Sequence, residues 1–484
     1  MSISAGRTAQ PAGSASPGRA ARNRLNRLTR RALPLAAATG LLAFPAAASV
    51  SATGVTAAGG HGERAAAVAA VPDISQPISI GKQLPAPEST TACLAQFQTR
   101  CYTPLQYYSA YDLSPLYRSG ITGNGRTIVI VDSFGSPTIA SDITTFDKQF
   151  GLPPLNLTID KFGNIPPFDH TNATMLDWAG ETTLDVEYAH AIAPGARIVL
   201  AETAVAETEG VTGLPEMMSA EKTLIDQGVG DVISQSFGAT ENTFPGFSQG
   251  NYSSLLSLRF AFQDAARHGV TVLAASGDTG VTDYEADGTT LYPYRVSSWP
   301  SSDPLVTSVG GTQLYLDDNG SRLQPDSVWN DGDGAGGGGV STVFSRPLFQ
   351  AGEAAVVGSH RGTPDISMSA AVNGAAWVYW SLPGGNGPGW QLMGGTSEAT
   401  PIFSGIVALA AQKAGHRLGG INPSLYALGA LSRHTSLPTG IVDVTTGNNS
   451  FGGVSGYNTV PGYDLATGWG TIDAATFVPA LARL

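Results

Sequence analysis

Residues 270–278 read VTVLAASGD, an apolar, β-branched run that stops at Ser276-Gly277-Asp278. So few polar positions predict a strand buried on both faces, and the small and acidic residues at its end predict a turn. Three runs of the same make lie upstream: TIVIVDS (127–133), ARIVLAET (196–203) and DVISQSFG (231–238). Helical patterns separate them over 181–192, 216–227 and 255–268, and a last long one covers about 397–413. Buried strands alternating with helices predict an α/β protein with a doubly wound parallel sheet flanked by helices. Functional residues in such a sheet gather at the carboxyl ends of the strands. Asp132, Ser234, Ser236 and Asp278 all stand at such ends.

The 484 residues allow two or three average domains, or one large α/β domain with appendages. With 60 Gly, 31 Pro and 13% charged residues the composition is that of a loop-rich extracellular protein, and 42% apolar residues support a proper core. Residues 1–48 are different: a basic start, an apolar stretch over 32–44 and the small residues Ala46, Ala47 and Ala48. That layout predicts a secretory signal, too short to span a membrane. Seven of the 26 basic residues and none of the 38 acidic ones fall in 1–48. The remainder carries 19 basic against 38 acidic residues, a net charge near −19. Such a surface disfavours nucleic acid and anionic membranes as partners, and a monomer is the default expectation. Residues 49–101 are expected to be a flexible or short pro-segment. Within it Cys93 and Cys101, eight apart, most simply close a small disulfide loop in a secreted chain. The folded part is expected over 102–484.

Late in the chain, GGTSEATP (394–401) places Ser397 at the start of a helix, on a turn of small residues. A serine hydroxyl needs a base within hydrogen-bond reach to act as a nucleophile. None of the seven histidines stands in a His-Gly-Thr stretch, and His190, on a plausible helix, reads as a packed helix end. Residues 180–196, GETTLDVEYAHAIAPGA, offer Glu181 and Asp185 instead, four apart and so on one helical face. A solvated helix face carries such a pair at little cost. A desolvated cleft holds one of the two carboxyls protonated, and the pair titrates as a unit.

Together these motifs resemble the sedolisin family, the serine-carboxyl peptidases, which share the subtilisin fold but use Glu where subtilisins use His. The resemblance rests on Glu181 and Asp185, on Ser276-Gly277-Asp278, and on Gly395-Thr396-Ser397 with Pro401, in that order. SQSFG (234–238), GTPDIS (362–367) and the stretch 328–350 support it, over roughly residues 102–484. It implies a single large catalytic domain with a subtilisin-like sheet, secreted and acting on a peptide or protein substrate at acidic pH. Ser397 would be the nucleophile, Glu181 the general base, Asp185 its proton-sharing partner and Asp278 the donor to the oxyanion. The bland reading of Ser276-Gly277-Asp278 is a plain turn.

Asp132 is expected to be a proton partner lying behind the catalytic carboxylates, with a turn-forming aspartate the alternative. Ser234, Ser236, Gly238, Gly338 and Gly339 are expected to hold the substrate backbone by strand addition. Phe237 stands where the family has Trp, and Glu398 follows the nucleophile where a small residue is usual. Glu398 either faces solvent or adds a carboxyl to the site. The resemblance also implies one Ca²⁺, held by the Asp443 and Asp464 carboxylates and the carbonyls of Val444, Val460 and Gly462. The alternative there is a glycine-rich turn without metal. Most sedolisins carry a large folded propeptide, which residues 49–101 are too short to form. Two rival readings remain: an ordinary subtilisin-like serine protease, and a secreted binding protein without turnover on the same scaffold.

Overall fold

Strand β1 (Thr127–Ser133) follows the alternation of a strand buried on both sides. Ile128 and Ile130 face one apolar core and Val129 and Val131 the other. The computed structural model describes residues 84–382, 389–435 and 437–484. The expected signal over 1–48, and residues 49–83, lie outside the described residues. After β1 come β2 (Asn156–Phe162), β3 (Arg197–Thr203), β4 (Val232–Gln235), β5 (Thr271–Ala275), β6 (Thr307–Gln313), β7 (Ser327–Val328) and β8 (Ile366–Ser369). They form one eight-stranded sheet in the order β7-β6-β5-β4-β1-β3-β2, with β8 also paired to β6. Every pairing is parallel except that of β7 with β6.

The helices that matter to the site are α1 (Pro104–Ala110), α2 (Ile139–Phe150), α3 (Ala173–Ile192), α4 (Leu214–Asp226), α5 (Phe260–His268) and α6 (Thr396–Ala414). Leu184, Tyr188, Ile402 and Phe403 bring α3 and α6 into the core of Ile128 and Ile130. Met217 and Leu224 of α4 and Phe262 of α5 fill the core on the opposite face. The α3 and α6 backbones approach closely at Gly405, where a Cβ would come within 2.7 Å of Ile192. The doubly wound parallel sheet expected from the sequence is therefore present.

Three differences have physical reasons. Helix α3 starts eight residues before the expected 181, capped by Asn172, whose side chain accepts from the Met175 amide. From Trp178 to Ile192 the helix is buried on all sides, so it carries little amphipathic signal over its first half. Strand β6 reads TSVGGTQ, its apolar run broken by two glycines that are pressed upon. A Cβ at Gly310 would meet the Ser367 hydroxyl at 2.5 Å, and one at Gly311 the Trp329 ring at 2.8 Å. The expected start of the folded part at 102 falls inside packed structure. Leu84 bridges to Trp390, and Cys101-Tyr102 add a strand beside Ala375 and Ala376. The disulfide between Cys93 and Cys101 is formed, with an S–S distance of 2.05 Å.

Candidate active site

Strand parity decides what meets at the carboxyl edge. Asp132 has the parity of Ile128 and Ile130, so its side chain points to the face covered by α3 and α6. Helix α3 presents Glu181 and Asp185 there, one turn apart, and both are fully buried. Helix α6 delivers Ser397 in its first turn after Gly395, whose φ of 110° is one that side-chain-bearing residues rarely adopt. Pro401 has no amide to offer the Ser397 carbonyl four residues back. The Ser236 hydroxyl lies 3.5 Å from that carbonyl and donates to the Asp185 Oδ1 at 2.9 Å.

The groups around Glu181 are carboxyls and hydroxyls. Burial pushes its carboxyl well above the usual range, and the charges of Asp132 and Asp278 push the same way. The Ser397 and Ser236 hydroxyls oppose this as donors. The Ser397 contact is loose, since neither Glu181 oxygen meets a donor in strict hydrogen-bond geometry. Asp185 is raised first by burial, then by the charges of Glu181 and Asp132, and its contact with Glu181 favours a proton held between them. Asp132 is pushed up to about 7 by burial, with the Thr182 hydroxyl opposing and Glu202 adding.

Asp278 follows β5 on the Ser276-Gly277 turn and is nearly buried. Its Oδ1 accepts from the Thr396 amide at 2.7 Å and the Thr396 hydroxyl at 2.8 Å, which ties it to the residue before Ser397. The Thr396 hydroxyl in turn accepts from the Gly277 amide at 3.1 Å. Thr396 thus couples the two turns. Sequence reasoning quoted it only as part of the serine motif.

Two open readings are resolved. Glu398 faces the core rather than solvent, accepting from the Tyr107 hydroxyl of α1 at 2.5 Å. Burial pushes its carboxyl up to about 8. His190 packs at the end of α3, its Nε2 3.0 Å from the Pro153 carbonyl and 3.1 Å from Asp147. Phe237 is buried in the core beside Trp178 and Trp299.

The expected substrate positions divide. Ser234 is a correction: it lies within β4, flanked by β1 and β5, and offers no free edge for strand addition. Ser236 turns its hydroxyl into the carboxyl cluster. Gly238 backs onto the Trp299 carbonyl, which a Cβ would meet at 3.4 Å. Gly339 opens a strand that pairs with Thr363, and Gly338 lies where a Cβ would strike the Leu465 carbonyl at 2.3 Å. Gly338 also lines a narrow polar cavity with Gly277, Asp283, Ser297 and Ser298, directly beside the Asp278 turn.

In the C-terminal loop both carboxylates hold the same stretch. Asp443 accepts from the Gly462 amide at 2.8 Å, and Asp464 accepts from the Val460 amide at 3.1 Å and from Ala466 and Thr467 at 2.9 Å. Burial raises both, Asp464 to about 6. Among the described residues no three acidic, His or Cys side chains are grouped so as to hold a metal ion. A metal here therefore depends on carbonyls, and an all-oxygen set with two carboxylates fits a hard cation such as Ca²⁺.

Residues 174–470 match the Subtilase family. The chain is 32% identical to kumamolisin of Bacillus sp. (strain MN-32) over 390 residues, 76% of this chain and 62% of that protein. It is 33% identical to sedolisin of Pseudomonas sp. (strain 101) over 402 residues, 80% of this chain and 62% of that protein. The chain thus spans under two thirds of the length of these relatives. It also resembles the structure of Pseudomonas sedolisin, a serine-carboxyl proteinase complexed with two molecules of pseudo-iodotyrostatin. The TM-score is 0.66 and the identity 30%, covering 80% of this chain and 99% of that one.

Proposed function

The chain belongs to the sedolisin family on the subtilase fold, and from that premise we propose that it is a secreted serine-carboxyl peptidase that hydrolyses peptide bonds at acidic pH. The observation that carries this reading is the buried group of Glu181, Asp185 and Asp132 facing Ser397 with carboxyl and hydroxyl neighbours. The Ser397 Oγ attacks the carbonyl carbon of the scissile peptide while Glu181 takes the hydroxyl proton. Asp185, held by the Ser236 hydroxyl, shares a proton with Glu181 and keeps it oriented. The tetrahedral intermediate places its oxyanion toward Asp278, which stabilises it only as the protonated acid, because a carboxylate there would repel it. Glu181 then returns the proton to the leaving amine, and water cleaves the acyl-enzyme by the reverse sequence. An imidazole base would be protonated in acid, whereas the ordinary range of a carboxyl lies there, and the Ser397 and Ser236 hydroxyls oppose the burial that raises Glu181 out of it.

The substrate is a peptide or an unfolded protein. One Ca²⁺ would be held by Asp443, Asp464 and the carbonyls of Val444, Val460 and Gly462. Its role is to neutralise the exposed Asp443 and the buried Asp464 carboxylates and fasten the loop. Chelation is expected to lower the melting temperature, read by calorimetry with and without added calcium; an unchanged value removes the ion from this account.

The function is tested by cleavage of an unfolded protein from about pH 3 to about pH 9, with a Ser397→Ala control. Activity confined to the acid side and absent from the control is expected. A maximum near pH 8 would eliminate the carboxyl base, and persistence in the control would eliminate Ser397.

A further inference from the structure

Three parallel strands end side by side at the cleft, and their register sets three ionisable side chains in one row. Asp132 on β1 stands opposite Glu202 on β3, and Glu202 stands opposite Lys161 on β2. In-register residues of neighbouring strands share a face of the sheet and lie within about 5 Å of one another at Cβ. The row runs from core to solvent: Asp132 is fully buried, the Glu202 side chain is 4% exposed and the Lys161 side chain 64%. Lys161 Nζ lies 3.2 Å from Glu202 Oε2. Glu202 is also confined from above, because Gly135 in the turn after β1 packs on it. A Cβ at Gly135 would fall 2.0 Å from Glu202 Oε1.

We propose that Glu202, paired with Lys161, is a positioning residue that holds the proton on Asp132 and so limits the negative charge around Glu181. This rests on the peptidase reading above. Burial raises the Glu202 carboxyl while Lys161 opposes that rise, and where Glu202 is ionised its like charge disfavours ionisation of its neighbour. Asp132 is raised by burial first and by Glu202 in addition, with Thr182 of α3 opposing. Across the sheet face Asp132 meets Glu181 and Asp185, and its charge is the largest influence on Glu181 after burial. Were Asp132 to ionise, Glu181 would hold its proton more tightly and be lost as a base. The Lys161 end opens on a cleft lined by Phe134, Ile159, Pro167 and Phe168, so bulk solvent reaches the row at its far end. The sequence held a hint: Glu202 ends the strand run ARIVLAET as Asp132 ends TIVIVDS.

The test uses the full chain with Ser397→Ala and isotope-labelled aspartate carboxyl carbons, titrated by magnetic resonance, the Asp132 signal being assigned by its loss in Asp132→Asn. Glu202→Gln is expected to lower the Asp132 midpoint by about one pH unit, Lys161→Met, which lets Glu202 take up a proton, to lower it by less, and Lys161→Arg to leave it in place. In the active chain the alkaline limb of kcat/KM follows, to lower pH in Glu202→Gln and, by less, in Lys161→Met. A midpoint that stays put in Glu202→Gln and Lys161→Met, or that moves in Lys161→Arg as well, as simple loosening of the strand ends would do, overturns the proposal. A Ser397-bearing chain that cleaves nothing at any pH would sink the peptidase reading, while the carboxyl titration still decides the role of Glu202.

Discussion

Two fully buried carboxyl sites in this molecule are built in opposite ways. Asp365 sits in the core with Arg361, whose Nη1 and Nη2 reach its two oxygens at 2.7 and 2.5 Å. The Ser308 amide and the Tyr426 hydroxyl donate to the same carboxylate at 2.8 Å each. Glu181, Asp185 and Asp132 are as deeply buried, yet their neighbours are one another and a few hydroxyls. A buried charge whose partners are all in place is a structural device. Buried carboxyls that push each other's protons on are poised for proton transfer. Glu398 lies between the two: the Tyr107 and Ser369 hydroxyls serve it, and burial pushes its carboxyl up to about 8.

The largest effect expected from that contrast is on turnover. Glu181→Gln keeps the shape and removes the base, so kcat is expected to fall by roughly 10⁴-fold, as when one member of a catalytic triad is disabled. Urea unfolding of the same variant should show stability unchanged or raised, since a carboxyl held against its preference has been removed. A loss of stability comparable with the next variant would place Glu181 in the structural class and break the comparison.

Arg361→Ala leaves the Asp365 charge buried without its counterion, and a cost of about 3–5 kcal/mol is expected in denaturant unfolding. The pH dependence of activity in the remaining folded fraction should be unmoved, because the carboxyls beside Ser397 keep their neighbours. A shifted profile would mean the two sites communicate.

A smaller effect per group distinguishes the sites by pH. Carboxyls raised in the folded state bind protons more tightly folded than unfolded, so their contribution is complete below the ordinary carboxyl range. It is lost as pH rises through the folded values, about 7 for Asp132 and about 8 for Glu221 and Glu398. Each group contributes about 1.4 kcal/mol for every pH unit between its unfolded and folded values. The melting temperature is therefore expected to fall between about pH 4 and about pH 8. Asp132→Asn should flatten part of that slope, and a melting temperature that climbs with pH would contradict the burial-driven shifts.

Much of this was legible before folding was considered. The strand runs at 127–133 and 196–203 occupy β1 and β3 as read, since their short apolar cores, IVIV and IVLA, leave few alternatives. The edge strand β2, NLTIDKF, escaped because it alternates polar and apolar residues, half facing solvent. Strand β6 escaped because its packing demanded glycine rather than bulk. In the site, Glu181, Asp185, Asp278 and Ser397 could be named from their motifs together with the family resemblance those motifs carry. Glu202 and Thr396 could not, because their roles depend on strand register and on a turn from elsewhere in the chain.

What the sequence determined by itself is the local presentation of each group. The i, i+4 spacing put Glu181 and Asp185 on one helical face, and the Gly395 turn put Ser397 at a helix start. What only the tertiary structure decided is their electrostatic character. Burial by α3, α6 and the sheet removes water from every carboxyl at once, and strand parity turns Asp132 and Glu202 onto the face that α3 and α6 cover. Desolvation and charge repulsion depend on distances in space, which no single stretch of residues specifies.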